Sequence, residues 1–390
     1  MVRTGLDEIR SGLPSFLKED RIGLLAHPAS VDSRLVHARE ICSKIFSNRL
    51  TVLFSPQHGI FGEQQDNMVE SAHGIDPDLG IPVYSLYSEV RKPTPEMFSE
   101  IDTLVVDLQD VGTRVYTFIY TLANCMDAAR EAGIRIVVLD RPNPIGGIAV
   151  EGNLLREDHS SFVGRFPIPM RHGMTIGELA GMFNNAFGIG CDLEVISMRG
   201  WRRGMYFAET GLPWVLPSPN LPTPETALVY PGQVLLEGTN LSEGRGTTRP
   251  FELFGAPYLD TKRAAERLAA YDLPGVIFRE HHFLPTFQKW EGTLCHGFQL
   301  HVTDRKAFRP YRSTLAVLQS VLSSCPGKFE WRKPPYEYET KKLPIDILTG
   351  DPAVREALEG RIDPVRMERG WEEDLSAFRK DRRKYLLYPD

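Results

Sequence analysis

The stretch TLVVDLQDVGTRVYTFIYTLANCMDAAREAGIRIVVLDRPN, residues 103–143, decides the fold. It begins and ends with short runs of Val, Ile and Leu, at 103–109 and 135–141, which are typical of strands buried on both faces. Between them, residues 119–133 carry apolar side chains at helical spacing, and Gly133 marks the predicted end of that helix. A strand, a helix and a second strand in this order predict one unit of a parallel sheet.

The same alternation extends on both sides of this stretch. Further strands are predicted at 21–27, 50–56, 82–87 and 192–198, with helices at 35–46, 94–101 and 175–188. Thr175 and Glu178 form a predicted capping box for the last of these helices. The sequence therefore predicts an α/β fold with a doubly wound, mostly parallel sheet. After a long Pro- and Gly-rich region, 213–250, we expect a strand at 298–304, helices near 314–323 and 370–384, and a domain boundary at 257/258.

Composition excludes several classes of protein. The 390 residues include 45 Lys and Arg against 51 Asp and Glu, a formal charge of −6 that gives no basic surface for nucleic acid. No apolar run is long enough for a membrane span. Five scattered cysteines without CxxC spacing predict free thiols. The first residues lack a signal-peptide pattern, so a cytoplasmic location is expected.

Common cofactor motifs are missing from the sequence. The first predicted strand is followed by HPASVD, 27–32, which has no glycine for a dinucleotide fingerprint, and no phosphate-binding P-loop or GxSxG nucleophile motif is present. The histidines at 281, 282, 296 and 301 match no standard zinc spacing, so no metal site is predicted.

Polar residues follow four of the predicted strands at the end where ligands bind in open parallel sheets. They include His27, Gln57 and His58, the run Asp107–Arg114, and Asp140–Asn143, and they predict a site at this edge. Alternatives remain: Asp107 could be buried and hydrogen-bonded, and Asp140 could pair with Arg141. A glycine-rich loop at 238–249 could cradle an anion beside Arg245 and Arg249, or be a flexible turn. The carboxylates available to the site are Glu63, Glu70, Asp107, Asp110, Asp140, Glu237 and Glu243.

Taken together, the segments resemble the exo-β-N-acetylmuramidases of the NamZ type over nearly the whole chain. The resemblance rests on an ordered set of motifs: FSPQHGIFGEQQDN, VVDLQDVGTRVYTFIYT, VLDRPNPIGG, MRHGMTIGELA, LPSPNLPTPETALVYPG and LEGTNLSEGRGTTRPFELFGAP. It implies a Rossmann-like N-terminal domain, 1–257, a smaller α+β C-terminal domain, 258–390, and a cleft between them. It also implies release of N-acetylmuramic acid from the non-reducing ends of peptidoglycan fragments in cell-wall recycling, without metal or organic cofactor.

The sequence departs from this family pattern at position 57. The family motif usually reads P-E-H-G, and its glutamate is the favoured catalytic acid, whereas this chain has Gln57; His27 also stands where asparagine is common. An amide cannot donate a proton as a carboxylic acid does. We therefore consider Glu63, Asp110 and Glu243 as candidate catalytic residues.

The remaining candidates are residues that could bind a muramyl sugar. Arginines recognise its lactyl carboxylate well, and asparagines and tyrosines bind hydroxyl and acetamido groups, although each arginine could instead pair with Asp110, Asp140 or Glu243. The predicted substrate-binding set is Gln57, His58, Arg114, Tyr116, Asp140, Asn143, Arg171, His172, Asn220, Asn240 and Arg245. Two other functions stay open: a non-catalytic muropeptide-binding protein, and an enzyme of different chemistry on an anionic sugar.

Overall fold

The computed structural model describes residues 1–60, 62 and 70–390. In this part of the chain there are twelve strands: β1 (Ile22–Ala26), β2 (Leu50–Ser55), β3 (Gly74–Ile75), β4 (Pro82–Ser85), β5 (Thr103–Asp107), β6 (Arg135–Leu139), β7 (Glu151–Leu154), β8 (Pro169–Arg171), β9 (Leu193–Ile196), β10 (Leu253–Ala256), β11 (Val276–Phe283) and β12 (Cys295–Val302). They form sheets of seven, three and two strands.

The seven-stranded sheet has the order β3-β4-β2-β1-β5-β6-β9. All neighbouring pairs in it are parallel except β3 with β4. All five residues of both β1 and β5 are buried, as their unbroken apolar runs require. The predicted α/β fold with a mostly parallel sheet is confirmed.

Thirteen α-helices accompany the strands in the described residues. They are α1 (Gly5–Ser11), α2 (Ala38–Phe46), α3 (Pro95–Phe98), α4 (Phe118–Ala132), α5 (Ile176–Asn185), α6 (Phe207–Thr210), α7 (Pro224–Gln233), α8 (Thr261–Leu268), α9 (Pro310–Ser324), α10 (Pro344–Thr349), α11 (Pro352–Glu359), α12 (Pro364–Gly370) and α13 (Glu372–Arg382). The capping box of Thr175 and Glu178 at the start of α5 is confirmed, and Gly133 ends α4 in the left-handed conformation. None of these helices is long and apolar enough to cross a membrane.

Alternate residues of the central strands face two different cores. Val105 and Val137 pack with side chains of α1 and α2 on one side of the sheet. Val106 and Val138 pack with α4 and α5 on the other side. This two-sided burial is what makes the sheet doubly wound, and it holds the carboxyl ends of the strands in fixed positions.

The second half of the chain contains the antiparallel sheet β10-β12-β11 and most of the remaining helices. The region 213–250, predicted as irregular, contains α7 and a 3₁₀ turn at Val234–Gly238. β10 precedes the predicted boundary at 257/258, yet it pairs with β12 beyond that boundary. These contacts favour a boundary before α7, and its position stays a proposal.

Candidate active site

A cavity lies beyond the carboxyl ends of β2 and β5. It encloses about 500 Å³, including the space open to solvent at its mouth. Loops after these strands supply one wall, and residues from the second half of the chain supply the other. The lining residues are Gln57, His58, Val115, Tyr116, Thr117, Phe118, Val163, Ser218, Asn220, Leu221, Tyr230, Glu237, Arg245, Phe251, Tyr336 and Glu337.

Gln57 enters the cavity two residues after β2 ends. The hydroxyl of Thr117 donates a hydrogen bond to its Oε1 at 2.9 Å. Gln57 also hydrogen-bonds the carboxyl group of Glu337. The Gln57 amide therefore contacts a carboxyl group from the far end of the chain.

Glu337 is a buried carboxyl group with an unusual pKa. Burial raises its pKa to about 7, and the nearby charge of Glu237 acts in the same direction. Hydrogen bonds from Tyr87 and Gln57, together with the charge of Arg91, oppose this rise. The Tyr87 hydroxyl donates to Oε2 of Glu337 at 2.9 Å. A carboxyl group with a pKa raised in this way keeps a proton to higher pH than an exposed glutamate does, which suits a general acid.

Glu237 and Arg245 face each other in the same cavity. Nη2 of Arg245 donates to Oε1 of Glu237 at 2.7 Å, and the Tyr336 hydroxyl donates to Oε2 of Glu237 at 2.7 Å. Arg245 also lies 3.2 Å from Glu243, which Lys289 contacts at 2.8 Å. Two acidic and two basic side chains thus balance each other's charge, Glu237 and Arg245 in the cavity lining and Glu243 and Lys289 behind them.

Glu243, one of the predicted catalytic residues, has the wrong environment for a proton donor. Burial would raise the pKa of its carboxyl group, but the adjacent Lys289 and Arg245 outweigh burial and lower that pKa. Glu243 stays ionised at neutral pH and is absent from the cavity lining. It serves as an ion-pair partner, and we no longer place it among the catalytic candidates.

The glycines on either side of Arg245 serve the protein's own packing. A Cβ on Gly244 would lie 2.8 Å from the carbonyl oxygen of Leu253, and one on Gly246 would lie 2.7 Å from the amide nitrogen of Phe287. Both glycines have positive φ. The space beside each glycine is filled by the protein's own main chain and leaves no room there for an anion. The predicted anion cradle therefore does not fit this arrangement. Arg249 pairs with Glu252.

Asp110 and His172 lie outside the cavity lining. Asp110 is buried; it accepts a hydrogen bond from the amide of Gly112 at 2.7 Å and lies 3.3 Å from Nε2 of His172. Nδ1 of His172 accepts from the amide of Met174. Both side chains shape the loops after the strands. Glu63, the third predicted catalytic residue, lies outside the described residues.

Two of the three predicted arginines hold main chain together. Arg114 is fully buried and donates hydrogen bonds to the carbonyl groups of Asn153, Ile168, Leu348 and Thr349. Buried Arg171 donates to the carbonyl of Ile145. The prediction that these two arginines contact substrate does not fit their positions, because neither lines the cavity.

Three further predicted binding residues also have structural partners outside the cavity. Asp140 accepts hydrogen bonds from Thr175, Gly177 and Tyr388, and burial raises its pKa to about 7. Asn143 bridges the backbone of Ile145 and Met174. Asn240 bonds the main chain of residues 328 and 330 and the hydroxyl of Tyr258. We leave all three out of the proposed site.

The remaining strand-end residues are also held by their neighbours. Asp107 is buried and accepts hydrogen bonds from the Arg141 guanidinium through both of its oxygens, whereas Asp140 accepts from the backbone amide of Arg141 and not from its guanidinium. Nε2 of His27 accepts from the amide of Gln109 at 2.9 Å, and burial keeps the pKa of His27 well below its ordinary value.

Five of the predicted binding residues meet in the cavity: Gln57, His58, Tyr116, Asn220 and Arg245. Their contacts with substrate stay predictions. The sequence analysis named Glu237 only as one of seven carboxylates available to the site. It did not identify Glu337 or Tyr336. Glu337 follows no strand and belongs to no standard motif, so only its proximity to Gln57 in three dimensions identifies it.

Backbone strain also concentrates at the cavity. Among the described residues, nine residues other than glycine have positive φ, and three of them, His58, Phe251 and Glu337, line the cavity. Such conformations persist only where the surrounding structure enforces them, and they cluster at functional sites. In the same described part of the chain, no three His, Cys, Asp or Glu side chains are grouped to hold a metal ion.

Comparisons with known proteins show the family to which the chain belongs. The family model for the N-terminal part of the exo-β-N-acetylmuramidase NamZ matches residues 22–225, and the model for its C-terminal part matches residues 228–388. The chain is 46% identical over 387 residues to the peptidoglycan β-N-acetylmuramidase NamZ of Bacillus subtilis (strain 168), covering 99% of this chain and 91% of that protein.

Two solved structures of DUF1343 family proteins from Bacteroides fragilis are also similar. One has a TM-score of 0.90 at 34% identity and covers 99% of both chains. The other has a TM-score of 0.78 at 29% identity and covers 100% of this chain and 99% of its own. The likeness extends through both halves of the chain that build the cavity, and so the chain belongs to the exo-β-N-acetylmuramidase NamZ family.

Proposed function

We propose that this chain is an exo-acting glycoside hydrolase that releases N-acetylmuramic acid from the non-reducing ends of peptidoglycan fragments. The activity is that of the 46% identical relative, whose name is peptidoglycan β-N-acetylmuramidase. The observation that carries the proposal is the buried Glu337 carboxyl group in the cavity, in contact with Gln57 and Tyr87.

In this proposal Glu337 is the proton donor, because the Gln57 side chain beside it is an amide and cannot serve as a carboxylic acid. Glycoside hydrolysis requires a carboxylic acid that protonates the oxygen of the leaving group. The pKa of Glu337, about 7, leaves a protonated fraction at neutral pH, as this role requires. Loss of a proton from Glu337 above pH 7 removes the acid, so activity falls as pH rises through this value.

A second carboxyl group, that of Glu237, acts on the sugar from the opposite wall of the cavity. Glu237 presents a carboxylate whose orientation is fixed by Arg245 and Tyr336. We assign Glu237 the second role in glycoside hydrolysis. It either stabilises the positive charge that develops on the sugar ring or activates the attacking water. Tyr116 and Asn220 line the same cavity and provide a ring face and an amide for the sugar.

The test is hydrolysis of a chromogenic N-acetylmuramide by the wild-type chain and by Glu337→Gln. We expect the variant to lose turnover by roughly 10²–10⁴-fold, the usual contribution of general acid catalysis, while it still binds the sugar. Glu339→Gln is the matched control, because it makes the same change at a carboxylate that bonds only nearby backbone amides.

The other outcomes have distinct meanings. Full activity of Glu337→Gln would place the acid elsewhere and return attention to Glu63. Binding of the muramide without turnover by the wild-type chain would support the second candidate function, a non-catalytic muropeptide-binding protein. The observation that favours this second candidate is Gln57 itself, which lines the cavity as an amide.

A further inference from the structure

A second depression in the surface, separate from the cavity, contains two tryptophans. Its lining residues, which we call the tryptophan groove, are Thr239, Asn240, Gln288, Lys289, Trp290, Glu330, Trp331, Arg332 and Lys333. The groove encloses about 1060 Å³, including space open to solvent. Nothing in the proposed reaction uses this groove.

Both tryptophan rings are held in place at the groove. The indole N–H of Trp290 donates to the carbonyl of Asn240 at 2.7 Å, and that of Trp331 donates to Glu359 at 2.8 Å. Each ring is half-buried. Fixed aromatic faces bind a ligand with little loss of side-chain entropy, and large aromatic side chains dominate the energy of many binding surfaces.

The groove also carries basic side chains that lack an acidic partner. Within the described residues, Arg332 and Lys333 have no carboxylate at ion-pair distance, and the Arg332 guanidinium lies over the Tyr336 ring, 5.8 Å from its centroid. Glu330 is the one acidic lining residue, and Lys289 is already paired with Glu243. The unpaired charges leave the groove with a net positive charge that favours an anionic ligand.

The backbone of the groove is strained at two positions. Gln288 and Trp290 have φ angles of 69° and 63°. The left-handed conformation is costly for side chains of this size, so the fold must enforce it. The Trp290 ring itself is held by its hydrogen bond to Asn240.

Tyr336 and Lys289 connect the groove to the cavity. The Tyr336 ring touches Arg332 in the groove, while its hydroxyl bonds Glu237 in the cavity. Nζ of Lys289 bonds the carbonyl of Leu236 and the Glu243 carboxylate, which in turn lies beside Arg245. A ligand in the groove would therefore lie one side chain away from the groups assigned to the reaction.

We propose that the tryptophan groove is a second binding site for an anionic glycan, a chain of amino sugars that carries carboxylates. The sugar rings stack on Trp290 and Trp331, and Arg332 and Lys333 bind the carboxylates. The choice of this glycan as the ligand rests on the proposed function. The groove would bind the part of the glycan that lies outside the cavity.

The test is co-sedimentation of the full chain with purified peptidoglycan sacculi. Trp331→Ala should weaken binding by about 10- to 30-fold, as truncation of a central aromatic contact does. The double variant Arg332→Gln with Lys333→Ala should weaken it by about 3- to 10-fold at low salt, with little difference from wild type at high salt. Lys341→Ala, which removes an exposed lysine outside the groove, is the matched control and should bind as wild type does.

The proposal would be overturned if all variants sedimented with sacculi as well as the wild-type chain does. It would also be overturned if the wild-type chain did not sediment with sacculi. Thermal melting checks that both variants are folded. The double variant keeps both tryptophan rings, so it keeps the test valid if Trp331→Ala does not fold. Hydrolysis of a small chromogenic muramide by the wild-type chain is measured separately. It tests the cavity's function whatever the outcome at the groove.

Discussion

At the scale of single residues, the charge of Arg245 is shared between two carboxylates. Its Nη2 bonds Glu237 and its Nε lies beside Glu243, while Nη1 makes no hydrogen bond within the described residues. The side chain lines the cavity. The pairing of Arg245 with Glu243 is thus observed, whereas its contact with a ligand stays a prediction that its place in the cavity lining allows.

We expect Arg245→Ala to weaken the use of N-acetylmuramides by roughly 10–150-fold more than the use of N-acetylglucosaminides. The difference arises because only the muramide has a lactyl carboxylate, and a charge-assisted contact to a carboxylate contributes about 1.5–3 kcal/mol. The measurement is kcat/KM for the two chromogenic sugars. Arg245→Lys, which keeps the charge but not the planar fork, should lie between wild type and alanine.

Equal losses on both sugars, together with a lower melting temperature, would assign Arg245 to the ion-pair cluster alone. Truncation leaves Glu237 and Glu243 without their shared cation, so some loss of stability accompanies either outcome. The ratio between the two sugars is therefore the deciding quantity.

At the scale of secondary structure elements, the β7–β8 hairpin carries a buried carboxyl group outside the site. Glu151, opposite Arg171 in this pair, accepts a hydrogen bond from the amide of Arg312, and burial raises its pKa from 4.5 to about 7. Between these two pH values the unfolded chain releases this proton while the folded chain keeps it. The contribution of Glu151 to stability therefore falls as pH rises from about 4.5 to 7, and it levels off above 7.

Glu151→Gln, which cannot ionise, should melt at a higher temperature than the wild-type chain at pH 8 and at nearly the same temperature at pH 5. The free energy of unfolding should differ by up to about 3 kcal/mol at the higher pH. Glu157→Gln, the same change at an exposed position, is the control. A difference between Glu151→Gln and wild type that does not vary with pH would contradict the prediction.

The elements that could be predicted from the sequence are those whose apolar pattern is imposed by burial on two sides. β1, β2, β5 and β6 are continuous apolar runs because both faces of the sheet are covered, and α4 and α5 carry clear end signals. β11 was missed because only its last residue is fully buried, so its apolar pattern is weak. α7 was missed because Pro224 and Pro231 lie within it, although the first proline suits a helix start.

The site was predictable only where it depends on strand ends. Gln57 follows β2, and the strand-end rule points to it, whereas Tyr116 was proposed as a residue that could bind a sugar. Arg114, Asn143 and Asp140 satisfy the same rule, but Arg114 and Asn143 bond main-chain groups, and Asp140 also bonds the hydroxyls of Thr175 and Tyr388. A sequence does not reveal these partners. Glu337 contacts Gln57 across 280 positions of chain. Such long-range contacts depend on the packing of α10 against the turn at Val234–Gly238, and no local pattern records this packing.

At the scale of the whole molecule, the cavity is completed by a contact between distant parts of the chain. Tyr87, shortly after β4, bonds Glu337 from the C-terminal region. Arg91 lies over the rings of Tyr87 and Tyr338, with its guanidinium carbon 4.5 and 4.2 Å from the two centroids. This stacked group fixes the loop that carries Glu337 against the first half of the molecule.

We expect Tyr87→Phe to move the basic limb of the pH–activity profile upward by about half to one pH unit. The Tyr87 hydroxyl stabilises the ionised form of Glu337, so its removal raises the pKa of that carboxyl group further, while the ring contacts with Arg91 are kept. The measurement is kcat/KM for a chromogenic muramide from pH 5 to 9. A uniform loss of activity without displacement of the limb would mean that Tyr87 acts on the fold and not on the acid.

The hydrogen bond between Gln57 and Glu337 has a consequence for how the proton is delivered. Two carboxyl groups in this position would share one proton, and either could hold it. An amide has the shape of a protonated carboxyl group but can never pass its hydrogens on at this pH. At this contact only Glu337 can gain or lose a proton. The proton is therefore always delivered from Glu337, at any pH, because the Gln57 amide cannot exchange roles with it.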